Sequence, residues 1–174
     1  MLKSLPFTAL ILFLCINYAS TAAQVPVASS EKTFTRLDKQ EIIGLMAQVS
    51  DIPDREQNNK LDQLLKKPSG SQTPRSDFLF CMGLAYLGNQ KAQKCVGNAY
   101  EKGRGIVEDL LEAYTWFALS QEHKAVDSKA ELARVKTILV STYPAPSDDE
   151  LDEMVKAQKR RISQYQDEFK NTGK

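Results

Sequence analysis

The chain has 174 residues, of which 42% are hydrophobic and 26% charged, and its formal net charge is +1. That length points to one compact unit once any leader is removed. A charge this close to neutral argues against a dedicated nucleic-acid binder, which carries a basic bias.

The N-terminus has the layout of a secretory signal. Lys3 supplies the positive start, Phe7 to Ile16 the short apolar core, and Ala19, Ser20, Thr21, Ala22 and Ala23 the small residues that cleavage requires. This predicts a signal peptide over residues 1–23, cleaved near Ala22 or Ala23. The alternative is a retained membrane anchor, for which the apolar core is short. A lipoprotein site fits poorly, because Cys15 lies inside the apolar core and follows Leu14, where a small residue is needed. The mature chain is expected outside the cytoplasm, periplasmic or secreted. No later apolar run is long enough to span a bilayer.

Residues 24–75 form an N-terminal segment. After a polar lead-in, Thr35 to Val49 reads as a helix with Leu37, Ile42, Leu45, Met46 and Val49 on one face. Ile52-Pro53 ends it, since proline biases the preceding residue away from helix. Asp54 is expected to cap a second helix reaching Lys67, with Leu61, Leu64 and Leu65 as a thin apolar side. Residues 68–75, rich in Pro, Ser and Gly, are a linker.

Over residues 76–143 the chain becomes strongly helical again, in helices separated by turns. Ser76 to Leu87 is apolar on almost every side and should be buried between neighbours. Ala92, Val96, Ala99 and Tyr100 then form a stripe at helical spacing, and Gly97 leaves room for a neighbouring backbone. Gly103 stands where that helix should stop, because glycine takes a left-handed conformation without a Cβ clash. Gly105 permits a second change of direction, and Ile106 can tuck back onto the pair. Asp109 caps the next helix, with Glu112 completing a capping box. Leu110, Ala113, Tyr114, Trp116 and Phe117 carry its buried side. Ser128 to Ser141 follows as another helix, with Ala130, Leu132, Ala133, Val135, Ile138 and Leu139 apolar. Residues 144–174 hold a long helix capped by Ser147 and Glu150, with Leu151, Met154, Val155, Gln158, Ile162, Tyr165 and Phe169 along one side.

The best-defined stretch, 92–127, resembles a Sel1-like repeat, a relative of the tetratricopeptide repeat. The residues that carry the resemblance are Ala92, Val96, Gly97, Tyr100, Gly103, Gly105, Ile106, Asp109, Ala113, Trp116 and Phe117. Phe80 falls one repeat period before Trp116, so Ser76 to Leu87 resembles the second helix of a degenerate preceding unit, whose first helix would lie before Pro68. Ser128 to Ser141 resembles the first helix of a third. The family glycine is missing after Trp116, where Lys124 stands. The resemblance implies an all-α fold, a short α/α superhelix capped by the long C-terminal helix, which a repeat stack needs at its ends.

Cys81 and Cys95 stand seven residues before and seven after Gly88, the pivot of a helical hairpin. Antiparallel helices would hold them at the same height, which favours a disulfide in an oxidising compartment; two buried free thiols are the alternative. His123 is the only histidine, so a zinc site or a Ser-His-Asp triad would have to run through it alone. It reads as a solvated helix-end residue. The acidic run Asp148, Asp149, Glu150, Asp152 and Glu153 favours the positive end of the last helix, and Lys156, Lys159, Arg160 and Arg161 read as a solvated face. Gly103-Arg104-Gly105 follows a helix and lacks the Lys-Ser/Thr of a phosphate loop. Trp116 and Tyr100 read as core aromatics.

No catalytic, cofactor or metal residue is therefore expected. Repeat stacks commonly bind protein segments, so the resemblance implies a protein-interaction adaptor of a bacterial envelope that works without chemistry of its own. The alternatives are an accessory structural subunit of a membrane or envelope complex, possibly with the N-terminal segment retained, and a small cell-wall hydrolase. A membrane is a partner only if that segment stays.

Overall fold

Seven helices and no strand make up the regular structure of the described residues: α1 (Lys39–Ser50), α2 (Asp54–Leu65), α3 (Arg75–Tyr86), α4 (Gln90–Glu101), α5 (Leu110–Gln121), α6 (Lys129–Val140) and α7 (Asp148–Asn171). The computed structural model describes residues 36–68, 74–122, 126–142 and 144–173, all within the unit Thr33–Lys174. The signal peptide and its cleavage at Ala22 or Ala23, His123, Lys124 and the centre of the 68–75 linker lie outside the described residues.

Local capping chemistry sets the helix starts, and in three places it departs from expectation. Arg36 to Asp38 are not helical. The Asp38 carboxylate accepts from the Glu41 backbone N–H at 2.9 Å, and Glu41 reaches back to the Asp38 N–H at 2.8 Å, so a capping box starts α1 after Asp38 and not at Thr35. Pro53, not Asp54, occupies the cap position of α2, with no side-chain cap bond, and α2 ends at Leu65. The work of joining the two helices falls to Gln57. It is buried, and its amide donates to the carbonyls of Val49 at 3.1 Å and Ile52 at 2.8 Å, which ties α2 to the end of α1 and the turn after it.

Helix α3 is buried along its length from Phe80 to Tyr86, as the apolar run predicts. It packs on α1 and α4, while α2 leans on α4 and meets α3 through Lys60 and Lys67, both paired with Asp77. The N-terminal segment is thus part of the stack from Lys39 onward. Gly88, at φ 94°, turns the chain between α3 and α4, and Asn89 caps α4 by accepting from the Ala92 N–H at 3.1 Å.

The turn from α4 to α5 uses two glycines at positive φ, Gly103 at 61° and Gly105 at 72°. The Arg104 N–H donates to Ala99 at 2.9 Å and the Asp109 N–H to Tyr100 at 3.0 Å, which seals the end of α4. Ile106 is buried against the pair. Asp109 caps α5, accepting from the Leu111 and Glu112 N–H groups at 3.0 Å each. Glu112 does not close the expected box; its carboxylate points elsewhere, toward Arg36. The space at Gly97 is filled by the ring of Phe117, not by a neighbouring backbone.

Helix α6 buries only Val135 and Leu139, and Ala130, Ala133 and Ile138 are exposed, contrary to the broad apolar side expected. Helix α7 starts with the expected Ser147–Glu150 capping box and buries Leu151, Gln158, Ile162 and Phe169. It packs on α5, α3 and α1 in turn, fastened by Gln166 donating to the Tyr86 carbonyl at 2.8 Å and by a 2.9 Å ion pair between Lys39 and Glu168. The fold is an all-α, solenoid-like stack closed by its long C-terminal helix, which lies across three of the helices it closes.

Candidate functional site

Where α7 crosses the stack it leaves a cleft of about 260 Å³. The walls come from the stretch before α1, from Tyr86 on α3, Tyr100 on α4, Glu112 and Trp116 on α5, and Gln158, Arg161 and Tyr165 on α7. Tyr86 is the aromatic hinge of the wall. It stacks on Tyr165 with ring centroids 5.4 Å apart and meets Trp116 edge-on at 5.6 Å, both favourable aromatic geometries. Its hydroxyl accepts from Gln158 Nε2 at 3.1 Å, and Arg161 donates to Gln158 Oε1 at 2.8 Å. Burial holds the Tyr86 hydroxyl above the usual tyrosine range, opposed by Gln158 and Arg161.

Glu112 is the charged centre of the cleft. It sits in the first turn of α5 with its side chain only 13% exposed, and its ionic partner is the guanidinium of Arg36. Burial pushes the Glu112 carboxyl above the ordinary glutamate range; Arg36 pulls it down, Asp109 pushes it further up, and Arg161 and the Trp116 indole pull it down. The Trp116 N–H lies close enough to steady this carboxylate, yet no acceptor meets it with hydrogen-bond geometry. Burial, reinforced by Glu112, likewise raises the Tyr100 hydroxyl.

The sign of the Glu112 shift makes a test. A carboxyl whose pKa is raised on folding weakens the fold as pH rises from its unfolded value of 4.5 through its folded value, and costs nothing below 4.5. Glu112→Gln is therefore expected to melt slightly higher than the wild type at pH 7, with the gain gone at pH 4. Thermal melts at the two pH values check it; a loss at pH 7 that disappears at pH 4 would show that the ion pair with Arg36 outweighs the burial.

The residues singled out in the sequence are distributed unevenly over this site. Cys81 and Cys95 form a disulfide between α3 and α4, with Cα atoms 6.0 Å apart. Ala92, Gly97, Ala113 and Phe117 are buried packing positions, Asp109 is a helix cap, and Gly103 and Gly105 form the turn. Arg104 donates to the Pro68 carbonyl at 2.6 Å. Tyr100 and Trp116 are buried as expected, and both also line the cleft. The basic run on α7 divides: Lys156 and Arg160 pair with Glu153, Lys159 with Glu122, and Arg161 turns inward. Among the described residues no group of His, Cys, Asp or Glu is arranged to hold a metal ion, and no helix is long and apolar enough to cross a membrane.

Arg36 and Glu112 were not legible as site residues. Glu112 looked like half of a capping box, and nothing near Arg36 marks it. Comparison with family models, curated proteins and solved structures finds no match.

Proposed function

We propose that the chain is a Sel1-like protein-interaction adaptor that works outside the cytoplasm, in a bacterial envelope. The observation that carries this reading is the α4–turn–α5 hairpin, in which Gly103, Gly105 and Asp109 take the turn and cap roles that the repeat pattern assigns to them. A bonded Cys81–Cys95 pair suits an oxidising compartment, in keeping with the signal-like N-terminus. A nearly buried carboxylate and aromatic walls on packed helices are features that support recognition of a partner.

Mild crosslinking in intact cells followed by affinity purification of the native protein is expected to return one or a few envelope proteins in fixed proportion. Recovery of the protein alone would remove the reading. Mass spectrometry of the mature N-terminus separates it from the accessory-subunit alternative: a start near Gln24 fits a released adaptor, whereas an intact Met1 with salt-resistant membrane association fits an anchored subunit.

A further inference from the structure

The Arg36–Glu112 pair divides one groove into two chambers. Arg36, Tyr100 and Glu112 line both the cleft of about 260 Å³ that runs toward Arg161 and a second depression of about 150 Å³ that runs toward Val107, Glu108 and Asp109. The two partners are unequal. Glu112 is set in α5 and nearly enclosed, whereas Arg36 stands outside any helix with its side chain 64% exposed. An anchored anion is met here by a cation carried on the non-helical arm Arg36 to Asp38.

We propose that this groove binds an arginine or lysine side chain of an extended partner segment, and that Arg36 is its built-in occupant. The incoming cation takes the place of the Arg36 guanidinium at Glu112. Tyr100 and Trp116 line the cleft beside that position. Glu108 and Asp109 make the second chamber negative, while Arg161 repels a cation from the far end of the first, so the site has a direction. The segment's carbonyl oxygens are suitable acceptors for Arg161, which bonds only neutral groups among the described residues. Val107, 60% exposed, gives the acidic chamber an apolar edge. A competitor carried on the same chain lowers the apparent affinity by the fraction of time it is bound, so the arm tunes how strong a partner must be. This deepens the adaptor reading and depends on it for the partner's identity, but not for the chemistry of the site.

Trp116 is the only tryptophan, so its emission reports on the groove directly. The probes are N-acetyl-argininamide, N-acetyl-lysinamide and the uncharged N-acetyl-citrullinamide, titrated into the mature chain. Arg36→Ala is expected to bind the argininamide about tenfold more tightly than the wild type, as removal of a competitor bound most of the time requires. Arg36→Lys should return the affinity to near the wild-type value, and citrullinamide should not bind. The argininamide and lysinamide arms decide whether guanidinium or ammonium is preferred. Adding Glu112→Gln to Arg36→Ala should abolish binding, with circular dichroism confirming that the double variant is folded; the Arg36→Lys reversal makes the same point if it is not. An Arg36→Ala chain no tighter than the wild type, or a citrullinamide as good as the argininamide, overturns the proposal. So does an envelope partner crosslinked to Arg36→Ala no better than to the wild type, an outcome that leaves the adaptor reading standing. Probe binding with no crosslinked partner keeps the site and removes the adaptor.

Discussion

Replacing Cys81 and Cys95 together by alanine is expected to lower the melting temperature by roughly 10 °C. The bond closes a loop between positions 14 apart in sequence and joins α3 to α4. Cross-linking a loop of that size removes unfolded-state freedom worth about 3 kcal/mol. Cys81 is fully buried in the core, so the native state gains no solvent contact from the change, and alanine avoids leaving a polar group there. Thermal unfolding of the wild type with and without reductant should give the same difference as the double substitution. A difference under about 1 kcal/mol would mean that the α3–α4 hairpin persists in the unfolded ensemble, leaving the bond little freedom to remove.

Gly83→Ala is expected to destabilise the fold by about 2 kcal/mol, against the direction that helix propensity alone would give. Alanine in a helix interior is favoured over glycine by about 1 kcal/mol. At Gly83 an added Cβ would lie 2.9 Å from the Leu45 carbonyl oxygen and 3.1 Å from Val49 Cγ2. The first of these is backbone in the middle of α1 and cannot swing aside as a flexible side chain would. Helix α1 must move off α3, and overpacking of that kind costs about 3 kcal/mol at the upper end of its usual range. Chemical denaturation measures the balance. A stabilised variant would show that α1 can shift without loss of packing, and that the α1–α3 contact is looser than its geometry implies.

The contrast between Gly83 and Gly103 shows what could be read from the letters. Gly103 lies between two periodic helices and before a capping aspartate, so its turn role was visible within a few residues. Gly83 lies inside an apolar run and looks like any small core residue; only the position of α1 explains it. Glu112 repeats the point at the site. Its spacing from Asp109 predicts a capping box, and the cap itself forms. The carboxylate instead answers to Arg36, 76 positions earlier. The four basic residues on α7 likewise looked equivalent, and Arg161 is set apart because it bonds Gln158 one turn earlier on the side of the helix that meets Tyr86.

By itself the sequence determined the all-α class, the reversals at Gly88, Gly103 and Gly105, the Asp109 and Ser147 caps, and the pairing height of Cys81 and Cys95. Each of these rests on energies exchanged between residues close in the chain, where spacing stands in for geometry. Tertiary structure alone decided that α7 lies across α5, α3 and α1, that Arg36 reaches Glu112, and that a groove remains between them. Those outcomes depend on which helix faces meet, and periodicity reports that a face is apolar without reporting what will cover it.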